Sequence, residues 1–141
     1  MKILFVCKAN MFRSRVAEAY FNKINKNKKI IATSAGIFKG DTPEKSSVNA
    51  AKKLGINING KPKPISLDLL RKTDLIVIVA DNVPSSEFKF QTKEITKKFV
   101  KKIIRWEITD EKTNKEKEIT GIIKKIMKKV DKLVEELSKN E

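Results

Sequence analysis

The chain has 141 residues, 40% of them apolar, enough to build one core in a single domain spanning 1–141. Lys plus Arg number 32 against 17 Asp plus Glu, a formal charge of +15 that is almost all lysine, and there is one cysteine and no histidine. The missing imidazole excludes Ser-His-Asp triads, Cys-His proteases and His-ligated metals, and the lone Cys7 excludes an internal disulfide or a cysteine-rich zinc site.

Ile3-Leu4-Phe5-Val6 is a continuous apolar run of the kind buried on both faces of a parallel sheet, and it predicts a first strand. From Ser14 the period changes: Val16, Ala17, Tyr20, Phe21 and Ile24 recur at helical spacing, with Ser14 placed to cap and Glu18 one turn in. Ile30 to Thr33 predicts a second strand ending at Ser34-Ala35-Gly36, where the glycine allows a turn that other residues resist. Thr42-Pro43 marks a helix start whose buried side is Val48, Ala51 and Leu54, stopped at Gly55. Lys61-Pro62-Lys63-Pro64 is an extended connector, after which Ser66 caps a short helix carrying Leu67, Leu69 and Leu70. Leu75 to Val79, bounded by Asp74 and Asp81, predicts the central strand. The stretch Pro84 to Thr96 is ambiguous, and Val100 to Trp106 holds a fourth strand. Ile119, Ile122, Ile123, Ile126, Val130, Leu133, Val134 and Leu137 describe a long closing helix with a Lys- and Glu-rich outer face.

Strands alternating with helices imply an α/β domain with a parallel sheet covered on both faces, and such sheets bind ligands at the carboxyl ends of their strands. Cys7 lies at one of those ends. No apolar run reaches the roughly 20 residues that span a bilayer, and Ile3 to Val6 is too short for a signal-peptide core, so a cytoplasmic protein without a membrane partner is expected.

Between the first strand and helix stands Cys7-Lys8-Ala9-Asn10-Met11-Phe12-Arg13-Ser14. A short loop wrapping from strand to helix can aim the N–H groups of residues 8–13 inward, a concave anion site reinforced by the helix dipole and sized for a tetrahedral phosphate. Arg13 adds a bidentate contact that lysine cannot copy, and the same field favours the thiolate of Cys7. A lone cysteine ending an apolar strand is usually a small buried hydrophobe, a reading that Arg13 and Ser14 at this spacing reverse.

The segment Val6-Cys7-Lys8-Ala9-Asn10-Met11-Phe12-Arg13-Ser14-Arg15-Val16-Ala17-Glu18 resembles the signature loop of the low-molecular-weight protein tyrosine phosphatase family, V-C-x-G-N-x-C-R-S-x-x-A-E. The likeness continues in Ser34-Ala35-Gly36, in Asp74 to Val79 with Asp81, and in Trp106-x-Ile-x-Asp110. It implies a four-stranded parallel sheet with helices on both sides and a phosphatase of phosphate monoesters, protein phosphotyrosine or small aryl phosphates, needing neither metal nor cofactor. By the same resemblance Cys7 is the nucleophile that becomes a phosphocysteine, Arg13 clamps the phosphoryl oxygens, and Ser14 supports the thiolate. Asn10 shapes the loop, in a left-handed conformation with Ser34 as partner, and inorganic phosphate or sulfate would occupy the same cup. Asp110 stands where the family has the Asp-Pro general acid; Glu111 replaces the proline and is the reserve acid, while Asp81 is a further option more simply read as a cap.

The sequence departs from the family pattern at Ala9, where a glycine is usual, so that any positive φ there would be strained. Phe12 replaces the second loop cysteine, leaving Cys7 without a disulfide partner against over-oxidation. The tyrosines that follow Asp-Pro are replaced by Lys112-Thr113-Asn114-Lys115, and Phe38 is the nearest aromatic able to wall a substrate slot, though partial core is its simpler reading. Two alternatives remain: an arsenate reductase drawing on an external thiol, since one cysteine cannot run an internal relay, and a non-catalytic phosphate-binding or sensing module. The lysines are spread along the chain without arginine clusters or stacking aromatics, so they do not point to specific nucleic-acid binding, although their summed field can draw phosphorylated anions to the site.

Overall fold

The computed structural model describes residues 1–84 and 102–139. The ambiguous stretch after Pro84 and the Val100 start of the fourth strand fall outside the described residues. β1 (Lys2–Cys7), β2 (Ile31–Gly36), β3 (Leu75–Val79) and β4 (Lys102–Trp106) form one parallel sheet in the order β2-β1-β3-β4. Among the described residues the helices are α1 (Arg13–Ile24), α2 (Lys45–Lys53), α3 (Leu67–Lys72) and α4 (Glu116–Ser138).

Each apolar strand divides its side chains between two cores by simple alternation. Ile3, Phe5, Leu75, Val77 and Val79 pack with Val16, Phe21 and the buried face of α4, whereas Leu4, Val6, Ile76 and Ile78 pack with Leu70 and Val83. This double burial explains why β1 and β3 read as unbroken apolar runs rather than alternating ones. Phe5 lies at the centre of the first core, with ring centroids 5.9 Å from both Phe21 and Trp106 in tilted contact. No helix of the described residues is long and apolar enough to cross a membrane.

Several boundaries differ from the sequence expectation. β2 runs on through Ser34, Ala35 and Gly36 because β1 continues beside it, Cys7 opposite Gly36. Gly36 is therefore no turn glycine. A Cβ there would stand 2.7 Å from Ala9 C and Asn10 N, so hydrogen is required for close approach of two backbones. α2 begins at Lys45 after an extended Glu44, not at Thr42-Pro43, and it ends as expected at Gly55, whose φ is 77°. Ser66 caps α3 by accepting the Leu69 N–H at 3.1 Å.

Along the sheet, the chain leaves β1 to one side for β2 and later returns to the other side for β3. The carboxyl ends of β1 and β3 therefore flank a switch in strand order, where open parallel sheets leave a crevice. Cys7 ends β1 there, and Asp81 and Asn82 follow β3.

Removing the ring that bridges sheet and helix should be costly: Phe21→Ala, at a position with no exposed surface, is expected to lower unfolding free energy by about 3–5 kcal/mol in a urea titration, against under about 1 kcal/mol for exposed Leu67→Ala.

Candidate active site

Residues 8–12 connect β1 to α1, and their backbone is oriented by the segment following β2. Ile37, Phe38 and Gly40 donate their N–H groups to the carbonyls of Cys7, Lys8 and Ala9 at 3.1, 3.2 and 3.1 Å. In a trans peptide the carbonyl of one residue and the N–H of the next point in opposite directions, so the N–H groups of Lys8, Ala9 and Asn10 are turned to the other side of the loop. Among the described residues no backbone carbonyl accepts from them, nor from Met11 or Phe12. The first turn of α1 follows directly and adds its own free N–H groups and the positive end of its dipole.

The loop is held by a buried chain of hydrogen bonds. Asn10 Nδ2 donates to Ser14 Oγ at 2.8 Å and to Ser34 Oγ at 3.0 Å, and its Oδ1 accepts the Lys63 N–H at 3.1 Å. Ser34 donates to Glu18 Oε1 at 2.5 Å. An ionised carboxylate can only accept, so the hydroxyl proton of Ser34 is committed to Glu18, and Ser34 must in turn accept from the amide. Ser14 also accepts from that amide, which leaves its single proton for Cys7 Sγ, 3.0 Å away. Asn10 adopts φ 56°, and it is the one non-glycine residue with positive φ among those described. Ala9 escapes the strain foreseen for it because it is not left-handed.

This network corrects the sequence reading of Ser14 and Glu18. The N-cap of α1 is Phe12, without a side-chain cap, and Ser14 lies inside the first turn with its hydroxyl given to the loop. Phe12 buries its side chain in the first core, Met11 lies against Gly40, and Lys8 is exposed, so whatever Lys8 to Phe12 offer an anion comes from their backbone. Phe38 is no part of either core: at 49% exposure it stands free beside Lys8.

Arg13 is 1% exposed, although it opens the helix. Its Nη1 donates to Ile108 O at 2.8 Å and its Nη2 to Asn82 Oδ1 at 3.0 Å; Asp81 Oδ1 and Asp110 Oδ2 each lie 3.5 Å from the guanidinium. Its Nε donates to none of the described residues, which leaves the Nε edge of the fork for another acceptor. Asp81 thus faces Arg13 and is not a strand cap. The sequence gives no signal for Asn82 or for Arg105, which donates to Val83 O at 3.0 Å and Asp81 O at 2.5 Å and so fixes the turn bearing Asp81 and Asn82.

Asp110 and Glu111 follow β4. Asp110 Oδ1 accepts the Glu111 N–H at 3.0 Å. Burial, joined by the Asp110 carboxyl and the charge of Glu44, pushes Glu111 up to about 8. Among the described residues no group of three or more His, Cys, Asp or Glu side chains is placed to hold a metal ion. A separate concavity of about 530 Å³, lined by Ser46, Asn49, Lys52, Lys53, Asn114 and Glu116, offers neither a nucleophile nor paired acids.

The direction of the hydrogen-bond chain is testable at its centre. Asn10→Asp keeps the shape but deprives both serines of their donor, and should lower stability by about 1–3 kcal/mol in a denaturant titration; an unchanged midpoint would contradict the network.

The fold agrees with known proteins in two of three comparisons. A search of curated proteins finds none that matches the chain. Among solved structures, the low molecular weight protein tyrosine phosphatase from T. tengcongensis is 25% identical with a TM-score of 0.79, covering 96% of this chain and 99% of that one. A protein tyrosine phosphatase from Entamoeba histolytica gives 22% identity and a TM-score of 0.79 over 99% and 96%, and an arsenate reductase from Archaeoglobus fulgidus gives 27% and 0.70 over 94% and 98%. The family model described as low molecular weight phosphotyrosine protein phosphatase matches residues 2–141. With that match over nearly its whole length, the chain belongs to the low molecular weight phosphotyrosine protein phosphatase family.

Proposed function

We propose that the chain hydrolyses phosphate monoesters without a metal, in two steps through a phosphocysteine on Cys7. The observation that carries this reading is the meeting, at one end of β1, of a sulfur 3.0 Å from the Ser14 hydroxyl with a buried arginine and a run of backbone N–H groups that no carbonyl of the described residues pairs. Cys7 attacks phosphorus as a thiolate. The N–H groups of residues 8–13 and the Nε edge of Arg13 hold the equatorial oxygens as negative charge builds on them. Asn10 and Ser34 keep the loop in shape, and Ser14 steadies the sulfur both as nucleophile and as leaving group. Asp110, 3.5 Å from the arginine that would grip the phosphoryl group, gives a proton to the departing ester oxygen and later takes one from the attacking water.

Aryl phosphates are the favoured class, either protein phosphotyrosine or a small aryl ester. Phe38 stands exposed next to Lys8, and the Met11 thioether packs at Gly40 near the same rim; together they supply apolar surface against which a ring can lie. Inorganic phosphate or sulfate would compete for the same donors. The lysine-rich remainder of the chain raises the local concentration of such anions in a salt-dependent way.

The test is steady-state hydrolysis of para-nitrophenyl phosphate and phosphotyrosine. Wild-type protein should turn over both, Cys7→Ser should lose about 1,000-fold or more in kcat, and Arg13→Ala should lose kcat and raise KM together. Hydrolysis that persists in Cys7→Ser would refute the assignment.

A further inference from the structure

The turn between β4 and α4 carries two carboxyl groups with different surroundings. Asp110 faces Arg13 through Oδ2 and is half exposed. Glu111 is turned inward: its Oε2 is buried and meets no hydrogen-bond donor among the described residues, and the side chain within hydrogen-bonding reach of its carboxyl is that of Asp110. Two carboxyl groups share a hydrogen bond only when one carries a proton, and a buried carboxylate oxygen without a donor is unfavourable. The charged groups that act on Glu111 are Asp110, from its own turn, and Glu44, from the residue preceding α2; Arg13 of α1 faces the opposite oxygen of Asp110.

We propose that Asp110 and Glu111 act as one carboxyl pair holding a single proton, with Glu111 as the positioning residue that stores it and Asp110 as the group that passes it to substrate. The proposal rests on the phosphatase reading above. In the first step the S–P bond forms as the ester P–O bond breaks. The electron pair stays on the ester oxygen, which takes the pair's one proton after that proton has moved from Glu111 to Asp110. The pair is then doubly ionised, with Glu111 half-buried between two other carboxylates, an arrangement that draws a proton back. In the second step water supplies it: an O–H bond breaks toward Asp110, the oxygen bonds to phosphorus, and the S–P electrons return to Cys7 as thiolate. The returned proton is shared with Glu111, and the pair is restored for the next turnover.

The pair loses its proton in a step that belongs to both groups. With Glu111 raised from 4.5 to about 8, the folded chain keeps there a proton that the unfolded chain has released. This site therefore withdraws stability as pH rises from about 4.5 to about 8.

The experiment measures kcat/KM for phenyl phosphate, whose leaving group needs protonation, from about pH 5 to about pH 9, with thermal unfolding over the same range, in wild type and Glu111→Gln. The wild-type alkaline limb is expected near pH 8. In Glu111→Gln that limb should move down by about one unit or more, because the isosteric amide keeps the packing but stores no acid proton. The melting temperature of the variant should also gain on wild type as pH rises. A limb at the same pH in both proteins, or a melting difference that does not vary with pH, overturns the pair. Absence of any Cys7-dependent hydrolysis in wild type would overturn the phosphatase reading and this proposal together, whereas hydrolysis with an unmoved limb removes the pair alone.

Discussion

The site depends on the direction of one hydrogen-bond chain. Glu18, on the second turn of α1, accepts the Ser34 proton, so Ser34 accepts from Asn10, Asn10 donates to two serines, and the Ser14 hydroxyl keeps a proton for Cys7 Sγ when the sulfur is a thiolate. The same amide uses its oxygen on the Lys63 N–H, which fastens the connector between α2 and α3 to the loop. Backbone pairing completes the constraint: with the carbonyls of Cys7, Lys8 and Ala9 bound by residues 37–40, the following N–H groups have a single side left to face. The loop is stiff here because both its side chains and its peptide planes are already committed.

What the sequence makes legible is what depends on local periodicity. β1, β3 and α4 can be read because apolar residues fall at the spacing of doubly buried strands or of one helix face, and burial enforces that spacing. The residues that gather around Cys7 are legible in their spacing, since a strand, a short loop and a helix start leave them few arrangements. Ser14 misleads, because serine at the head of a helix is normally a cap and nothing local says that its hydroxyl is claimed by Asn10. Gly36 misleads in a related way: glycine signals either a positive φ or a close approach, and only the register of β1 against β2 decides between them. Asn82 and Arg105 carry no signal, since their importance comes from a turn on a neighbouring strand reaching across the sheet end to Arg13.

The electrostatics divide between surface and site. The +15 charge is carried mostly by lysines spread along the chain, whereas Arg13 is buried with Asp81, Asn82 and Asp110 around it. A buried guanidinium needs such acceptors, because an unpaired charge in the interior is strongly unfavourable. Those contacts occupy Nη1 and one side of Nη2, so the arginine is held for use at its remaining edge without being neutralised by a bidentate carboxylate. With Asp81 at Nη1 and Asp110 at Nη2, each 3.5 Å away, the cation is anchored while its Nε edge stays open.

The central claim is that Cys7 itself receives the phosphoryl group within this loop. Its most direct test is acid quenching of the protein within milliseconds of mixing with an aryl phosphate, followed by mass analysis of the peptide that contains Cys7. The account predicts a phosphoryl adduct on Cys7 that forms at the rate of the initial burst of phenol and decays at the turnover rate, and that is absent from Cys7→Ala. Turnover of the wild-type protein with no adduct on Cys7, or an adduct that survives in Cys7→Ala, would contradict it.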